Sequence, residues 1–374
     1  MRRRRQGESW AFMGRVLLKA AILFSLCNFL YLVTQPADFL GRFSLYNTVW
    51  AGRPRLPYGD QPEADYAVSL DNIPAMLASH EVTARPSDNE FRVFLLGDSS
   101  VWGWLLTNEQ ALADQLNVAG LVAPDGRTIR FYNLGYPIIA LSKDLLLLDA
   151  LMAEEPDLIL WFTTLEAFPR DKQGVPPLVQ NNPGRREALA EAYGLDFGDV
   201  PEPGNFLTRT LIGERRALAD LLRLQLYGAS WQATGIDQAL PVPYELRASD
   251  FDVDISWQGI SEAAELPAGL LATDMIAAGY GLAGDTPIIL INEPIFISNG
   301  ANSDLHYNAF YPRWIYDEYR VFLAATAERN GWPYVDLWDA VPAEEFTDTP
   351  VHLTPAGTRQ LADLILSYLE ENLQ

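Results

Sequence analysis

Residues Phe91–Ser100 read FRVFLLGDSS, a mostly apolar run that ends in glycine, aspartate and two serines. A short apolar run followed by turn residues is typical of a strand buried in a parallel sheet. The polar residues then form a loop at the carboxyl end of the strand, the edge where open α/β sheets bind their ligands. Ser99, within this loop, is therefore the first candidate for a reactive group.

Four further apolar runs have the character of strands. They cover Thr128–Leu134, Leu158–Phe162, Pro287–Ile291 and Tyr334–Leu337. Helical patterns follow at about 109–119, 142–154, 313–329 and 355–371. Strands that alternate with helices predict a parallel sheet with helices on both faces. The expected fold class is α/β, a three-layer α/β/α domain over residues 89–374 with a five-stranded, mainly parallel sheet.

The long segment between the third and fourth strands lacks clear strand patterns. Helical patterns at about 185–194 and 205–227 predict a mostly helical insertion over about 169–284. Residues Gly279–Gly284 fit the pattern G-x-G-x-x-G, but they follow a helical stretch and precede a strand. A dinucleotide site needs the strand first and the helix after it, so we expect no nucleotide cofactor there.

The first 19 residues are basic in an acidic chain. They hold six Arg or Lys residues against Glu8, a net charge of +5, whereas the whole chain of 374 residues carries −22. The apolar stretch Val16–Val33 follows, and 18 helical residues span about 27 Å, close to the thickness of a bilayer core. We predict a cytoplasmic basic head (1–14) and a single transmembrane anchor (15–34). The positive flank predicts a cytoplasmic N-terminus and an extracytoplasmic C-terminal domain.

The apolar stretch Val16–Val33 has three other interpretations. A cleaved signal peptide would need a site of the A-x-A kind, and none follows Val33. A lipoprotein signal would need a small residue before Cys27, where the chain has Leu26. A buried core helix of this length is also possible. We favour a signal-anchor followed by a juxtamembrane arm over residues 35–88, rich in Pro, Gly and polar residues.

Composition excludes several classes of function. The net charge of −22 argues against nucleic-acid binding, which needs a basic face. One Cys and three His give no basis for a disulfide framework or a Cys/His zinc site. We therefore expect neither a metal nor another cofactor.

A second polar segment lies near the end of the chain. Residues Phe346–Gly357 read FTDTPVHLTPAG and precede the last predicted helix, with Thr354 and Pro355 suited to its start. His352 is one of only three histidines, and Asp348 lies four residues before it. Since Pro350 prevents a helical turn between them, their contact depends on the geometry of the loop.

Three blocks together resemble the SGNH, or GDSL-like, hydrolase superfamily, whose fold is flavodoxin-like. Phe91–Ser100 is similar to the first block, Asn133–Gly135 to the second and Asp348–His352 to the last. The resemblance covers about 89–168 and 285–372 and implies a membrane-anchored member of this superfamily.

The resemblance implies roles for five residues. Ser99 is the expected nucleophile, His352 the general base and Asp348 the group that orients the base. The backbone N–H groups of Ser99 and Gly135 are the expected oxyanion donors. Two features depart from the family pattern. The acid lies four residues before the histidine instead of three, so either the loop bulges or a Ser–His dyad operates with a backbone carbonyl. Thr164 stands near the place of the usual Asn donor and is its expected substitute.

Candidate substrate contacts lie at the same edge of the sheet. Asn292 and Glu293 follow the fourth strand directly, and Trp102 lies three residues after Ser99. Glu293 could equally cap a turn before Pro294. We expect these three side chains to bind substrate.

The expected function is serine-dependent hydrolysis or transfer of O-acyl esters outside the membrane. The resemblance implies a small-molecule or glycan substrate such as an envelope glycan, and a membrane acyltransferase as a partner. The alternative is an inactive SGNH-like scaffold that binds glycan or such an acyltransferase.

Overall fold

The structure is a computed structural model that describes residues 2–59, 70–87, 89–200, 206–236, 243–267 and 269–372, with side chains from Trp10 onward. Parts of the predicted segments lie outside the described residues. They are residues 60–69 and 88 of the arm, and residues 201–205, 237–242 and 268 of the insertion. The side chains of the basic head up to residue 9 also lie outside them.

Five parallel strands form one sheet. They are β1 (Glu90–Leu96), β2 (Thr128–Asn133), β3 (Leu158–Thr163), β4 (Ile288–Asn292) and β5 (Tyr334–Asp336). The strand order is β2-β1-β3-β4-β5, and every pair in it is parallel. The predicted α/β class and all five strands are confirmed, with bounds within one residue of those expected. The carboxyl ends of all strands therefore meet at one edge.

The helices lie before, between and after the strands. Helices α1 to α6 are Arg2–Thr34, Ala37–Gly41, Ile73–Ser79, Ser99–Trp102, Leu112–Val118 and Leu141–Leu151. Helices α7 to α13 are Pro177–Gln180, Pro183–Tyr193, Arg215–Arg223, Ala229–Thr234, Thr273–Ala283, Arg313–Asn330 and Pro355–Asn372. A π-helical turn, Leu224–Gly228, joins α9 to α10.

Alternate residues of each strand face two separate cores, as expected for a sheet covered on both sides. On β1, Phe94 and Leu96 belong to the core that includes α6, α11 and α12. Val93 and Leu95 belong to the other core, which includes α5 and α13. The three-layer α/β/α architecture follows directly from this alternation.

Helix α1 is longer than the predicted anchor. Its part Trp10–Thr34 is long and apolar enough to cross a membrane, and only 11% of its most apolar window is buried. A core helix would be buried by the protein around it, so this interpretation is disfavoured. The direction in which α1 crosses the membrane stays a prediction.

The arm packs at the sheet edge where β1 and β2 end. Arg55 donates hydrogen bonds to the carbonyl oxygens of Gly103 and Leu106 at 3.1 and 3.2 Å. Nε2 of His80 lies 2.9 Å from the carbonyl oxygen of Asn133, at the end of β2. The described part of the arm thus holds the loops that follow β1 and β2.

The insertion differs from the prediction in two ways. Residues 206–214 form turns instead of the start of a helix, and the helical part begins at Arg215. Helix α11, placed in the predicted insertion, instead packs on α6 as part of the central domain. Its core residues Met275 and Ile276 are fully buried, so α11 belongs to a layer of the sandwich.

Candidate active site

A tight turn presents Ser99 at the end of β1. The side chain of Asp98 accepts the N–H of Ser100 at 2.8 Å and so caps the one-turn helix α4, which begins at Ser99. A Cβ on Gly97 would lie 2.6 Å from Cγ2 of Val101, so only glycine fits there without a shift. The side chain of Ser99 is part-exposed, while Asp98 before it is buried.

Three predicted residues meet in a chain of hydrogen bonds. Nε2 of His352 lies 2.7 Å from Oγ of Ser99, and Nδ1 of His352 lies 2.8 Å from Oδ1 of Asp348. Serine and histidine are 253 residues apart in sequence. This is the geometry that a histidine base needs to take the hydroxyl proton while a carboxylate holds the opposite ring nitrogen.

The loop that carries His352 and Asp348 is held by its own threonines. Thr349 Oγ1 accepts the N–H of Val351 at 3.4 Å and that of His352 at 3.2 Å. The N–H of Thr347 donates to the carbonyl oxygen of His352 at 2.9 Å. These bonds fold residues 347–352 back on themselves. Of the two alternatives that the sequence left open, the loop adopts the bulge, and the displaced acid reaches the imidazole.

The acid is kept ionised by its neighbours. Burial alone raises the pKa of Asp348, but the hydrogen bond and charge of His352 and the hydroxyl of Thr347 outweigh it. The pKa of Asp348 is consequently below its usual value. An ionised carboxylate at this place stabilises the imidazolium that forms when His352 takes a proton.

Of the predicted oxyanion donors, Gly135 lies beside the turn that carries Ser99, whereas the hydroxyl of Thr164 has another partner. A Cβ on Gly135 would lie 2.5 Å from the backbone nitrogen of Trp102, so Gly135 lies directly against the turn that carries Ser99. Its N–H is 3.2 Å from Oδ1 of Asn133, to which it donates. The role expected of Thr164 is corrected. Thr164 is fully buried and its hydroxyl is paired with that of Tyr311 at 2.9 Å, so it is not free to replace the Asn donor.

The prediction that Trp102, Asn292 and Glu293 contact substrate is also corrected, since all three side chains are buried. Asn292 is fully buried and its amide donates to Oδ1 of Asp336 at 2.8 Å. The indole of Trp102 donates to the carbonyl oxygen of Leu56 at 2.8 Å. Glu293 is 3% exposed and accepts the hydroxyl of Ser100. These side chains support the site from behind and do not line its open face.

Sequence reasoning missed Trp104. Its ring stacks on that of His352, with centroids 5.8 Å apart and an angle of 30° between planes. It is part-exposed, unlike Trp102, which lies under Arg55. Gly103, between the two tryptophans, has a left-handed backbone conformation.

A buried charge cluster beneath the turn was also missed. Nζ of Lys143 donates to the carbonyl oxygen of Gly97 at 2.7 Å and to the carboxylate of Asp144. The other oxygen of Asp144 accepts the indole of Trp161 at 3.2 Å. Both charged residues are buried, although their place at the start of a helix suggests surface charge. The cluster ties helix α6 to the turn before Ser99.

Glu293 completes this support. Its Oε1 has no hydrogen-bond partner among the described residues. With Ser100 it lines a cavity of about 10 Å³, enough for one water molecule. Burial and the nearby charge of Asp98 raise the pKa of Glu293 well above its usual value. The carboxyl that accepts the hydroxyl of Ser100, next to Ser99, therefore favours its neutral form.

The described residues contain neither a metal-binding cluster nor the strand–loop–helix arrangement of a dinucleotide site at Gly279–Gly284. They hold no group of three or more His, Cys, Asp or Glu side chains placed to bind a metal ion. Residues Gly279–Gly284 run along the end of α11 into the turn before β4, the reverse of a dinucleotide site.

No family model and no curated protein sequence matches the chain. Several solved structures are similar to it in fold. A GDSL-like lipase from Bacteroides thetaiotaomicron has 12% identity and a TM-score of 0.38, with 80% of this chain and 98% of the lipase covered. A member of the lipolytic G-D-S-L family from Veillonella parvula has 10% identity and a TM-score of 0.35, with 75% and 98% covered.

A carbohydrate acetylesterase family member from Sinorhizobium meliloti has 12% identity and a TM-score of 0.33, with 75% and 98% covered. At such values nothing about activity follows from the similarity, and the chemistry rests on the side chains of this chain.

Proposed function

We propose that this chain is a membrane-anchored, SGNH-type serine hydrolase or acyltransferase that acts on O-acyl esters outside the membrane. The observation that carries the proposal is the hydrogen-bonded sequence from Ser99 through His352 to Asp348. A hydroxyl, an imidazole and a carboxylate in this order form the machinery of covalent acyl transfer.

The reaction follows from the positions of the protons. The carboxylate of Asp348 accepts a hydrogen bond from the N–H at Nδ1 of His352, which leaves the lone pair of Nε2 facing the hydroxyl of Ser99. Nε2 takes the hydroxyl proton as Oγ attacks the ester carbonyl. The tetrahedral intermediate then collapses to an acyl-serine, and the leaving alcohol takes the proton from Nε2.

A second half-reaction frees the enzyme. Water or an acceptor hydroxyl gives its proton to Nε2 of His352 and attacks the acyl-serine, and Ser99 recovers the proton as it leaves. Water makes the chain an esterase and a sugar hydroxyl makes it an acyltransferase, with the same residues in both cases.

We propose a glycan of the cell envelope as the substrate or acceptor. Two features support this choice: helix α1, which is able to cross a membrane, and the resemblance to anchored superfamily members that accompany envelope acylation. A membrane acyltransferase that supplies the acyl group is the partner that fits such a role.

One observation favours the inactive scaffold instead. The hydroxyl of Thr164 is paired with Tyr311 and does not replace the Asn donor of the family. Loss of one oxyanion donor costs about 2.7–4 kcal/mol of transition-state stabilisation. A scaffold would keep the fold and the glycan-binding surface without turnover.

A panel of esters separates these possibilities. The full chain in detergent is incubated with acetyl and longer-chain aryl esters, with and without a sugar acceptor, beside Ser99→Ala. Ester cleavage that requires Ser99 supports the enzyme, and acylated sugar in the product supports transfer. A folded wild type that cleaves no ester and acylates no sugar supports the scaffold.

A further inference from the structure

Part of the insertion presents apolar side chains to solvent. Residues 206–227 lie within the long connection between β3 and β4. They include the turns at 206–214, helix α9 and most of the π-helical turn. The exposed apolar residues, here called the apolar surface, are Phe206 (66% exposed), Leu207 (54%), Ile212 (48%), Leu222 (61%), Leu226 (64%) and Tyr227 (54%). So many large apolar groups on one segment indicate a surface that is covered in the cell.

The apolar surface is joined to the end of helix α1. The side chain of Asn28 accepts the N–H of Ile212 at 3.3 Å, and the hydroxyl of Tyr31 donates to Glu214 at 2.7 Å. The amide of Gln35, just past the helix, donates to the carbonyl oxygen of Arg209 at 3.0 Å. Segment 209–214 therefore runs alongside the last two turns of α1.

This contact sets the depth of the segment in a bilayer. Asn28 lies six residues before Thr34, the last residue of α1, a distance of about 9 Å along a helix axis. Interfacial helices bury their apolar face about 5–10 Å into the boundary between headgroups and acyl chains. When α1 crosses a membrane with Thr34 at the boundary of the headgroups, the backbone N–H of Ile212 lies at about this depth.

The juxtamembrane arm continues the same surface. The backbone N–H of Leu45 donates to the side chain of Gln225 at 2.6 Å, which places the arm beside Leu226. Apolar side chains of the arm are exposed here too: Phe39 (62%), Phe43 (63%), Val49 (63%) and Trp50 (44%). Two separate segments thus expose apolar groups next to the end of one helix.

The charge of the segment is opposite to that of the chain. Residues 206–227 contain four arginines and two acidic residues, a net charge of +2 in a chain of −22. All four arginines are exposed: Arg209, Arg215, Arg216 and Arg223. The exposed leucines and arginines share the outward face of α9, since Leu222 lies seven residues, or about two turns, after Arg215. Such a mixed surface suits the headgroup region of a membrane with anionic lipids, where leucines enter the apolar boundary and arginine side chains extend to the headgroups.

We propose that the apolar surface docks on the lipid bilayer that α1 crosses, on the side where α1 ends, with the four arginines among anionic headgroups. The domain then lies against the membrane and does not swing on a flexible tether. The site of Ser99 is consequently held at a fixed height and orientation above the lipid. This inference rests on α1 being a membrane anchor and not on the chemistry of the site.

The test uses the full chain in vesicles without any other protein. In a Cys27→Ala background, one cysteine is introduced at Leu226 and labelled with an environment-sensitive fluorophore. The matched control is Val118→Cys, since Val118 is 83% exposed and lies on α5 of the central domain. Vesicles of phosphatidylcholine, with and without phosphatidylglycerol, carry a nitroxide lipid quencher, and iodide is the aqueous quencher.

We expect the label at 226 to be quenched by nitroxide lipid and several-fold less by iodide than the label at 118. Charge reversal at Arg215, Arg216 and Arg223 to Glu is expected to weaken the lipid contact more in vesicles with phosphatidylglycerol. Equal iodide quenching at both positions, in a chain that stays in the vesicles after an alkaline wash, would overturn docking. A surface kept free for another protein gives that result.

Protection from iodide without nitroxide quenching would mean that protein covers residue 226, which also contradicts the proposal. Release of the chain by the alkaline wash would instead refute the anchor itself. Ester cleavage is measured on the same samples, so a failure of docking is distinguished from a failure of the proposed chemistry.

Discussion

Oδ1 of Asp348 lies 2.8 Å from Nδ1 of His352, although Pro350 stands between them and excludes a helical turn. The loop brings them together because Thr349 accepts two backbone N–H groups and pulls the chain into a bulge. An acid four residues before the histidine therefore reaches the imidazole through the bulge. This geometry favours a triad over a dyad with a backbone carbonyl.

Asp348→Asn tests this arrangement. The amide cannot stabilise imidazolium and can force the wrong tautomer on His352, so kcat for ester cleavage is expected to fall by about 10³–10⁴. The measurement is steady-state hydrolysis of the best aryl ester. Asp339→Asn is the control, since Asp339 is an exposed acid outside the loop. An unchanged kcat in Asp348→Asn would assign the orienting role to another group.

Glu293 is expected to act as a neutral carboxyl. Because folding raises its pKa, it favours the protonated form, and its contribution to stability declines as pH rises above the unfolded value of about 4.5. Glu293→Gln keeps the acceptor for Ser100 without this decline. We expect near-wild-type activity at pH 7 and a smaller loss of unfolding free energy between pH 5 and 9, by urea denaturation.

Glu293→Ala provides the contrast, because it removes the acceptor of the Ser100 hydroxyl and enlarges the cavity. Its activity is expected to fall well below that of Glu293→Gln. Parallel pH profiles of stability in wild type and Glu293→Gln would show that the carboxyl is ionised in the folded chain.

Gly135 is expected to tolerate no side chain. A Cβ there would lie 2.5 Å from the nitrogen of Trp102 and 3.0 Å from the carbonyl oxygen of Asp98. Gly135→Ala must push the turn of Ser99 away, at a cost of about 1–3 kcal/mol and with a large loss of kcat. Gly184→Ala is the control, because nothing lies within 4 Å of that Cβ. Equal activity in both variants would contradict the close approach.

His80 makes the fold sensitive to acid. It accepts the N–H of Val82 at Nδ1, so its Nε2 carries the proton and donates to the carbonyl oxygen of Asn133. Burial lowers the pKa of His80 from 6.5 to about 4. The unfolded chain therefore binds more protons between these values, and stability is expected to fall by roughly 3 kcal/mol as pH drops from 6.5 to 4.

The comparison is His80→Asn, whose Oδ1 can still accept the N–H of Val82. Urea unfolding of both proteins between pH 7 and 4 isolates the contribution of the imidazole, since other titrating groups are common to both. The variant is expected to lose less stability in acid than wild type. A steeper loss in the variant would contradict a neutral buried His80.

The sheet could be predicted because each strand is a short apolar run bounded by Gly, Pro or polar residues. The meeting of Ser99 and His352 was predicted from the resemblance, which assigned them as nucleophile and base, whereas the strand pattern alone placed only Ser99 at the ligand edge of the sheet. The resemblance contributed the order of roles. None of these inferences depended on contacts between distant side chains.

The support behind the site could not be predicted. Lys143 and Asp144 begin a helix, where charges are usually solvated, and only the carbonyl of Gly97 above them explains their burial. Glu293 lies at the expected edge of the sheet, but its side chain is buried behind Ser100 instead of facing substrate. Whether a residue at a strand end faces solvent or the core depends on how the following loop packs, which local sequence does not encode.

Covalent acyl chemistry requires a reactive hydroxyl on Ser99. The full chain is treated with a fluorophosphonate, and the adduct is counted by intact mass and located by peptide mass, beside Ser99→Ala and the exposed-serine control Ser230→Ala. We expect one adduct per chain on Ser99, lost in Ser99→Ala and retained in Ser230→Ala. A folded wild type without an adduct, or with the adduct on another residue, would contradict covalent acyl chemistry at this site.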